Sequence, residues 1–428
     1  MTRDTATFNG MDYPNCAASD PIAMGWMQGT PVPHDKLIRF EDGRALEFPQ
    51  NRWTLSHMRE LLPTTNVWRG TSAASDLGQI NSSVEQAIDA LTFQDMDGHT
   101  RSWAQSLTDT YTDGLLVLHR GKRIYERYAG ALQPHGAHAC FSITKSYAAT
   151  LAATLLVEGV LDAHKLIPHY LPEMAHTAYA DATLRDLLDM QIGVAYSEDY
   201  ADPAAQFWDY ARAGGFSPRG PQHAGPDSFY AFLLTLKKSG AHGQAFAYKT
   251  VNTELLCWVM KRVTGSSLAE LLSERIWQKM GCEQDSYLTV DSTGVAFGGG
   301  GLNASLRDMA RFGEMMRCGG AAQGRQLIPE QVVADIARGS SPAKFAKAGY
   351  TLLPGYSYRN MWWVAPPSSG LFAGVFEGRG IHGQRLYIAP QADMVVARFA
   401  SHPIASSAAN DPITLPAFAA LGRMLIGA

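Results

Sequence analysis

Phe141-Ser142-Ile143-Thr144-Lys145-Ser146 is the stretch from which the fold can be read. Behind it, Tyr147 to Val157 is apolar except for Thr150 and Thr154, and Gly159 offers a stop. A helix apolar on nearly every side is normally buried, and Ser142 suits its N-cap or first turn. Positions i and i+3 share a helix face, so Lys145 can reach the Ser142 oxygen. A serine hydroxyl is a poor nucleophile until a base takes its proton, and a lysine can do that only when neutral. Lowering its pKa from about 10.4 to about 7 corresponds to roughly 4–5 kcal/mol. Burial and the positive end of the helix dipole both act in that direction. The Ser142 N–H, at the same helix end, is a candidate oxyanion donor. S-x-x-K also arises by chance. The chain holds a second copy, Ser341-Pro342-Ala343-Lys344, with no long apolar helix behind it.

Outward from that stretch, 428 residues suggest two or three domains. An apolar fraction of 46% against 18% charged residues favours an extensive core. The net charge of −4 argues against nucleic acid or an anionic membrane as partner. No apolar run approaches the roughly 18 residues of a membrane span. Met1 to Asn15 carries no apolar signal region. The five cysteines, Cys16, Cys140, Cys257, Cys282 and Cys318, are scattered without a C-x-x-C pair. A cytoplasmic protein is the expectation. Cys140, two residues before Ser142, reads as a small buried side chain.

Short apolar runs at 114–119 and 124–128 flank Arg120-Gly121-Lys122-Arg123 and predict a β-hairpin around a glycine turn. Residues 160 to about 285 read as helices, with candidates at 183–190, 227–238, 253–264 and 268–279. Earlier, short helices are expected at 54–62 and 82–91, and 133–138 is expected to be a loop. Later come a helix at 305–318, strands at 359–365, 385–389 and 394–399, and a closing helix at 412–426. Strands at both ends with helices between predict an α/β (α+β) protein. Its antiparallel-sheet domain is built from 1–155 and 291–428, with an all-helical domain inserted at 156–290.

Other chemistry-bearing residues are read beside plainer alternatives. Tyr248, in Ala247-Tyr248-Lys249-Thr250-Val251-Asn252, could present its phenol to a site, or Asn252 could simply cap the following helix. Gly378-Arg379-Gly380-Ile381-His382-Gly383 could bring a backbone amide close to a ligand, or could be an ordinary strand entry. Glu198-Asp199-Tyr200-Ala201-Asp202 reads as a solvated loop. The pairs His135/His138 and His164/His169 lack a third ligand at metal spacing, so neither metal nor cofactor is expected. No G-x-S-x-G elbow occurs.

Taken together, Ser142-x-x-Lys145, Tyr248-x-x-x-Asn252 and Gly380-Ile381-His382-Gly383 resemble the three motifs of serine hydrolases with the β-lactamase and penicillin-binding fold. The resemblance is closest to the 6-aminohexanoate-dimer hydrolase branch, near class C β-lactamases and carboxylesterases, and it runs from about Asn51 onward. It implies Ser142 as nucleophile, Lys145 and Tyr248 as proton-transfer pair, and the Ser142 and Ile381 amides as oxyanion hole. Tyr200, Asn252, Gly380 and His382 would contact substrate. The implied reaction is acyl-enzyme hydrolysis of a small ester or linear amide. A β-lactamase or D-alanyl-D-alanine peptidase is the rival, and a non-catalytic ligand-binding relative a second. Assembly as a homodimer is left open. Four features depart from the family pattern. Gly378-Arg379-Gly380 stands where penicillin-recognising relatives carry Lys-Thr-Gly, so the cation for a substrate carboxylate is either missing or supplied by Arg379. The second motif is Y-x-x-x-N where Y-x-N is commoner, and Ala211 and Gly299 replace polar residues of efficient nylon-dimer hydrolases.

Overall fold

The computed structural model describes residues 4–367 and 373–427. Its centre is a seven-stranded antiparallel sheet. The strand order is Ser357–Arg359, Trp362–Val364, Phe376–Gly380, Gln384–Ala389, Met394–Ala400, Thr112–His119 and Lys122–Tyr128. The two halves of the chain meet where Met394–Ala400 pairs with Thr112–His119. Arg120 and Gly121 both take positive φ, 51° and 76°, the backbone that a tight two-residue hairpin turn requires.

Successive strand residues face opposite sides of a sheet. Leu116, Leu118, Leu386, Ile388, Val395 and Ala397 enter a large apolar core with Tyr147, Leu151 and Phe312. Leu115, Val117, Tyr387, Met394 and Val396 enter a smaller one with Trp103, Phe418 and Leu421. Ile143–Val157 and Leu306–Arg317 supply the first face, and Asp411–Gly427 the second. Strands covered on both sides lose polar alternation, which is why their sequences are almost unbroken apolar runs.

The Ile143–Val157 helix is buried along nearly its whole length. Its serine and threonine hydroxyls all have acceptors. Thr144 bonds the Phe141 carbonyl at 2.6 Å and Ser146 the Met361 carbonyl at 2.9 Å. Thr150 and Thr154 bond back to Ser146 and Thr150 at 2.7 and 2.9 Å. With those groups satisfied, burial carries little polar penalty.

A second, four-stranded sheet orders Thr64–Val67, Ser286–Thr289, Leu302–Ser305 and Ala137–Ala139. It corrects two expectations. The segment 156–290 is not all helical, and 133–138 is not only a loop. Strands of three or four residues are too short to display a period of two. The helix expected at 54–62 splits into Asn51–Thr54 and Met58–Glu60. The one expected at 227–238 shortens to Phe229–Leu233, because its tail is drawn into a bridge between Val194 and Lys238.

The N-terminal segment is fastened by Arg52. Its guanidinium bonds Asp113 at 3.2 Å, the Cys16 carbonyl at 2.5 Å and Ser19 at 3.0 Å, all in the interior. All five cysteines are free thiols. Among the described residues, no helix is long and apolar enough to cross a membrane.

Candidate active site

Ala137–Ala139, paired with Asn303–Ser305, delivers the chain to the turn before Ser142. Phe141 there has φ 45°, a conformation that costs a bulky residue about 1–3 kcal/mol and clusters at functional sites. Its carbonyl accepts from both the Thr144 N–H (2.9 Å) and the Thr144 hydroxyl (2.6 Å), which pins the turn. Ser142 occupies the N-cap position and makes no capping bond with its side chain. Its hydroxyl is left to face the cavity.

Lys145 Nζ lies 2.7 Å from Ser142 Oγ and 2.6 Å from the Gly299 carbonyl oxygen. The amine also lies 5.0 Å from the centre of the Tyr248 ring. Burial lowers the Lys145 pKa to about 8, against the opposing pull of Glu198 and Glu254. Burial pushes the Tyr248 phenol well above its ordinary value, and Glu198 adds to this, while an interaction with the Ser142 side chain works the other way. The pair is therefore an amine that can shed its proton and a phenol that keeps its own. Of the two, the amine is suited to act as base and the phenol to relay a proton.

The second S-x-x-K copy is built differently. Ser341 caps the helix Pro342–Ala346 by accepting from the Lys344 N–H, and the Lys344 amine goes to Gln191 at 2.8 Å. No serine–lysine pair forms there.

Ser142, Tyr200, Tyr248, Gly380 and Ile381 line one cavity of about 990 Å³. Gly380 ends the strand Phe376–Gly380, where an added Cβ would come within 2.7 Å of the Cys140 carbonyl oxygen. Only glycine lets this strand approach the turn before Ser142. Gly380→Ala is expected to cost about 1–3 kcal/mol by overpacking, read by urea denaturation, and to lower kcat by displacing the strand. Unchanged stability and turnover would contradict that close approach.

Two expected substrate contacts lie elsewhere. Asn252 is wholly buried, accepting from the Tyr179 hydroxyl at 3.0 Å and pointing its amide at Met190, so it is a core residue. The His382 ring is held by the His402 carbonyl at 2.7 Å and is not part of the cavity wall; its backbone, with φ 60°, shapes the turn after Ile381. Arg379 reaches the cavity but is no free cation. It bonds Glu377 at 2.9 Å, pairs with Asp411, and lies 5.1 Å from the Trp363 ring centre. Ala211 is buried in the helix Gln206–Ala213. Gly299 has no room for a side chain, since its Cβ would meet Thr250 at 2.3 Å.

Two carboxylates escaped the sequence reading. Glu198 is not a solvated loop residue. It accepts from the Thr250 N–H at 2.6 Å, from the Thr250 hydroxyl, and from the Tyr200 hydroxyl at 2.8 Å. It thereby ties the loop carrying Tyr200 to the segment carrying Tyr248. Glu254 holds the Gly298-Gly299 backbone. The signal for Glu254 was a charged residue opening the apolar run Leu255–Met260, which passes for an ordinary acidic first turn. Met11 and Tyr13, from the hairpin Thr5–Pro14, also border the cavity, and nothing in their sequence pointed there.

Comparison with known proteins gives concordant results. The Beta-lactamase family model matches residues 100–415. A 6-aminohexanoate-dimer hydrolase of Paenarthrobacter ureafaciens is 33% identical over 392 residues, 91% of each chain. A solved structure from Bacillus anthracis, provisionally named a 6-aminohexanoate-dimer hydrolase, superposes with a TM-score of 0.80 at 30% identity. It covers 91% of this chain and 97% of the other. A family VIII carboxylesterase shares the fold, with a TM-score of 0.59 at 16% identity over 82% of this chain and all of the other.

Proposed function

The chain belongs to the Beta-lactamase family, and on that premise we propose that it is a serine hydrolase acting through an acyl-enzyme on small esters or linear amides. The observation that carries the proposal is the Lys145 amine, 2.7 Å from the Ser142 hydroxyl and brought down to a pKa of about 8 by burial. In the proposed cycle the neutral amine takes the Ser142 proton as Oγ attacks the substrate carbonyl. The Ser142 and Ile381 amides stabilise the oxyanion, a contribution of about 3–4 kcal/mol per donor in such sites. The Tyr248 phenol passes a proton to the leaving alcohol or amine, and water then releases the acid by the reverse relay.

Family membership leaves β-lactam hydrolysis and D-alanyl peptidase activity as rivals, because both reactions use the same nucleophile. They also need a cation for a substrate carboxylate. Arg379, the candidate for that role, is already shared between Glu377 and Asp411. The expected outcome is turnover of p-nitrophenyl butyrate with nitrocefin at least about 100-fold poorer in kcat/KM. That ratio corresponds to losing a charge-assisted hydrogen bond of roughly 3 kcal/mol. Fast nitrocefin turnover without esterase activity would reverse the assignment. The close relatives named for 6-aminohexanoate-dimer hydrolysis make linear amides the next substrates to assay.

A further inference from the structure

One buried carboxylate is wired to the proposed base through a single residue. Glu254 lies in the first turn of the helix Val251–Thr264 and is 1% exposed. Its Oε1 accepts from the Gly299 N–H and the Tyr210 hydroxyl, both at 2.7 Å, and its Oε2 from the Gly298 N–H at 3.0 Å. The Gly299 carbonyl accepts from Lys145 at 2.6 Å. Both backbone groups of Gly299 are thus spoken for, one by the carboxylate and one by the amine.

A neutral amine has two N–H bonds and one lone pair. Giving one N–H to the Gly299 carbonyl restricts where the lone pair can point, and the Ser142 hydroxyl sits in hydrogen-bond reach on the same nitrogen. The carbonyl belongs to four consecutive glycines, 298–301, a backbone with much conformational freedom to lose. A side chain at 299 would come within 2.7 Å of Glu254 itself. Hence the turn is kept bare so that the carboxylate can close on it.

We propose that Glu254 is a positioning residue for the Lys145 base. It clamps the Gly298-Gly299 turn so that the Gly299 carbonyl aims the amine at Ser142, and its charge adjusts how readily that amine loses a proton. The proposal rests on the Ser142–Lys145 reading. The groups around the amine are Glu198, Glu254, the Tyr248 ring and the Ser142 hydroxyl. Those around the carboxylate are Tyr210, Tyr196, Tyr230, Lys145 and, on its own helix, Cys257. Burial raises the Glu254 pKa to about 7, so at mildly alkaline pH it is mostly an anion and opposes proton loss from Lys145.

Glu254→Gln keeps the size, removes the charge and turns an NH₂ toward at least one glycine N–H. The maximum kcat/KM for p-nitrophenyl butyrate should fall about 10- to 100-fold, the scale of a small misplacement of a catalytic group. The acidic limb of its pH profile should move to lower pH, by on the order of one unit. A purely structural role would lower the maximum and leave the limb where it was; that result would overturn the proposal. If Glu254→Gln does not fold, Tyr210→Phe carries the test, since it removes one hydroxyl that stabilises the anion. A lower kcat at unchanged KM with the limb at lower pH supports the clamp, and a wild-type profile overturns it. Ser142→Ala separates the two levels. Activity in that variant would sink the nucleophile assignment, whereas an inactive Ser142→Ala with an unmoved Glu254→Gln limb sinks only the clamp.

Discussion

Ser142→Ala is expected to lower kcat for p-nitrophenyl butyrate by about 10⁵–10⁶-fold, the scale at which removal of a nucleophile acting in a coupled unit is felt. Three other groups could be invoked to take over, and each is otherwise engaged. Cys140 is fully buried, and burial raises its thiol pKa, away from thiolate formation. Ser146 donates to the Met361 carbonyl, and Ser341 is a helix cap with its lysine turned to Gln191. Loss of activity would not be mistaken for unfolding, because the Ser142 side chain makes no capping bond whose removal would destabilise the helix. Stability in urea should stay within about 1 kcal/mol of the parent. Intact mass after fluorophosphonate treatment gives an independent reading. The parent chain should gain one adduct and the variant none. Near-parental turnover in Ser142→Ala would end the acyl-enzyme mechanism for this chain.

What could be read from the sequence was what local pattern encodes. The Ile143–Val157 helix announces itself by length and apolarity, and the 112–128 hairpin by two apolar runs around Arg120-Gly121. The i, i+3 spacing of Ser142 and Lys145 carried directly into a 2.7 Å contact. Contacts between distant segments left no such trace. Asn252 looked like a ligand because it follows Tyr248 by four residues, yet the helix it opens turns it inward to Tyr179. Arg379 looked like an available cation because its partner Asp411 lies 32 residues on and nothing local shows that Glu377 holds it. Glu198 reads as part of a solvated loop and Glu254 draws no reading from its sequence, since only the fold brings Thr250 and the glycines 298–299 to them. The legible part of the site is therefore its nucleophile and base. The illegible part is the pair of carboxylates, half-buried Glu198 and buried Glu254, that tie the surrounding loops to them.

That division has a mechanistic consequence, because the base depends on its environment more than on its identity. Lys145→Arg is expected to abolish activity, with kcat down about 10⁴-fold or more, although charge and approximate length are kept. A guanidinium does not give up its proton in the accessible pH range, so it cannot accept one from Ser142. Lys145→Ala should be similarly inactive. In the parent, the sign of the pH dependence follows from the same argument. The amine is useful only when neutral, and its neutral fraction grows as pH rises through about 8. At pH 7, one unit below, about a tenth of the molecules are competent, so kcat/KM should climb roughly tenfold per unit below pH 8 and level off above it. Tyr248→Phe should cost about 10²–10⁴-fold, as loss of a proton relay does. Combined with Lys145→Ala it should add little, because the two groups serve one transfer and their effects do not sum. A profile flat from pH 6 to 9, or an active Lys145→Arg, would mean that the 2.7 Å contact plays no part in activating the serine.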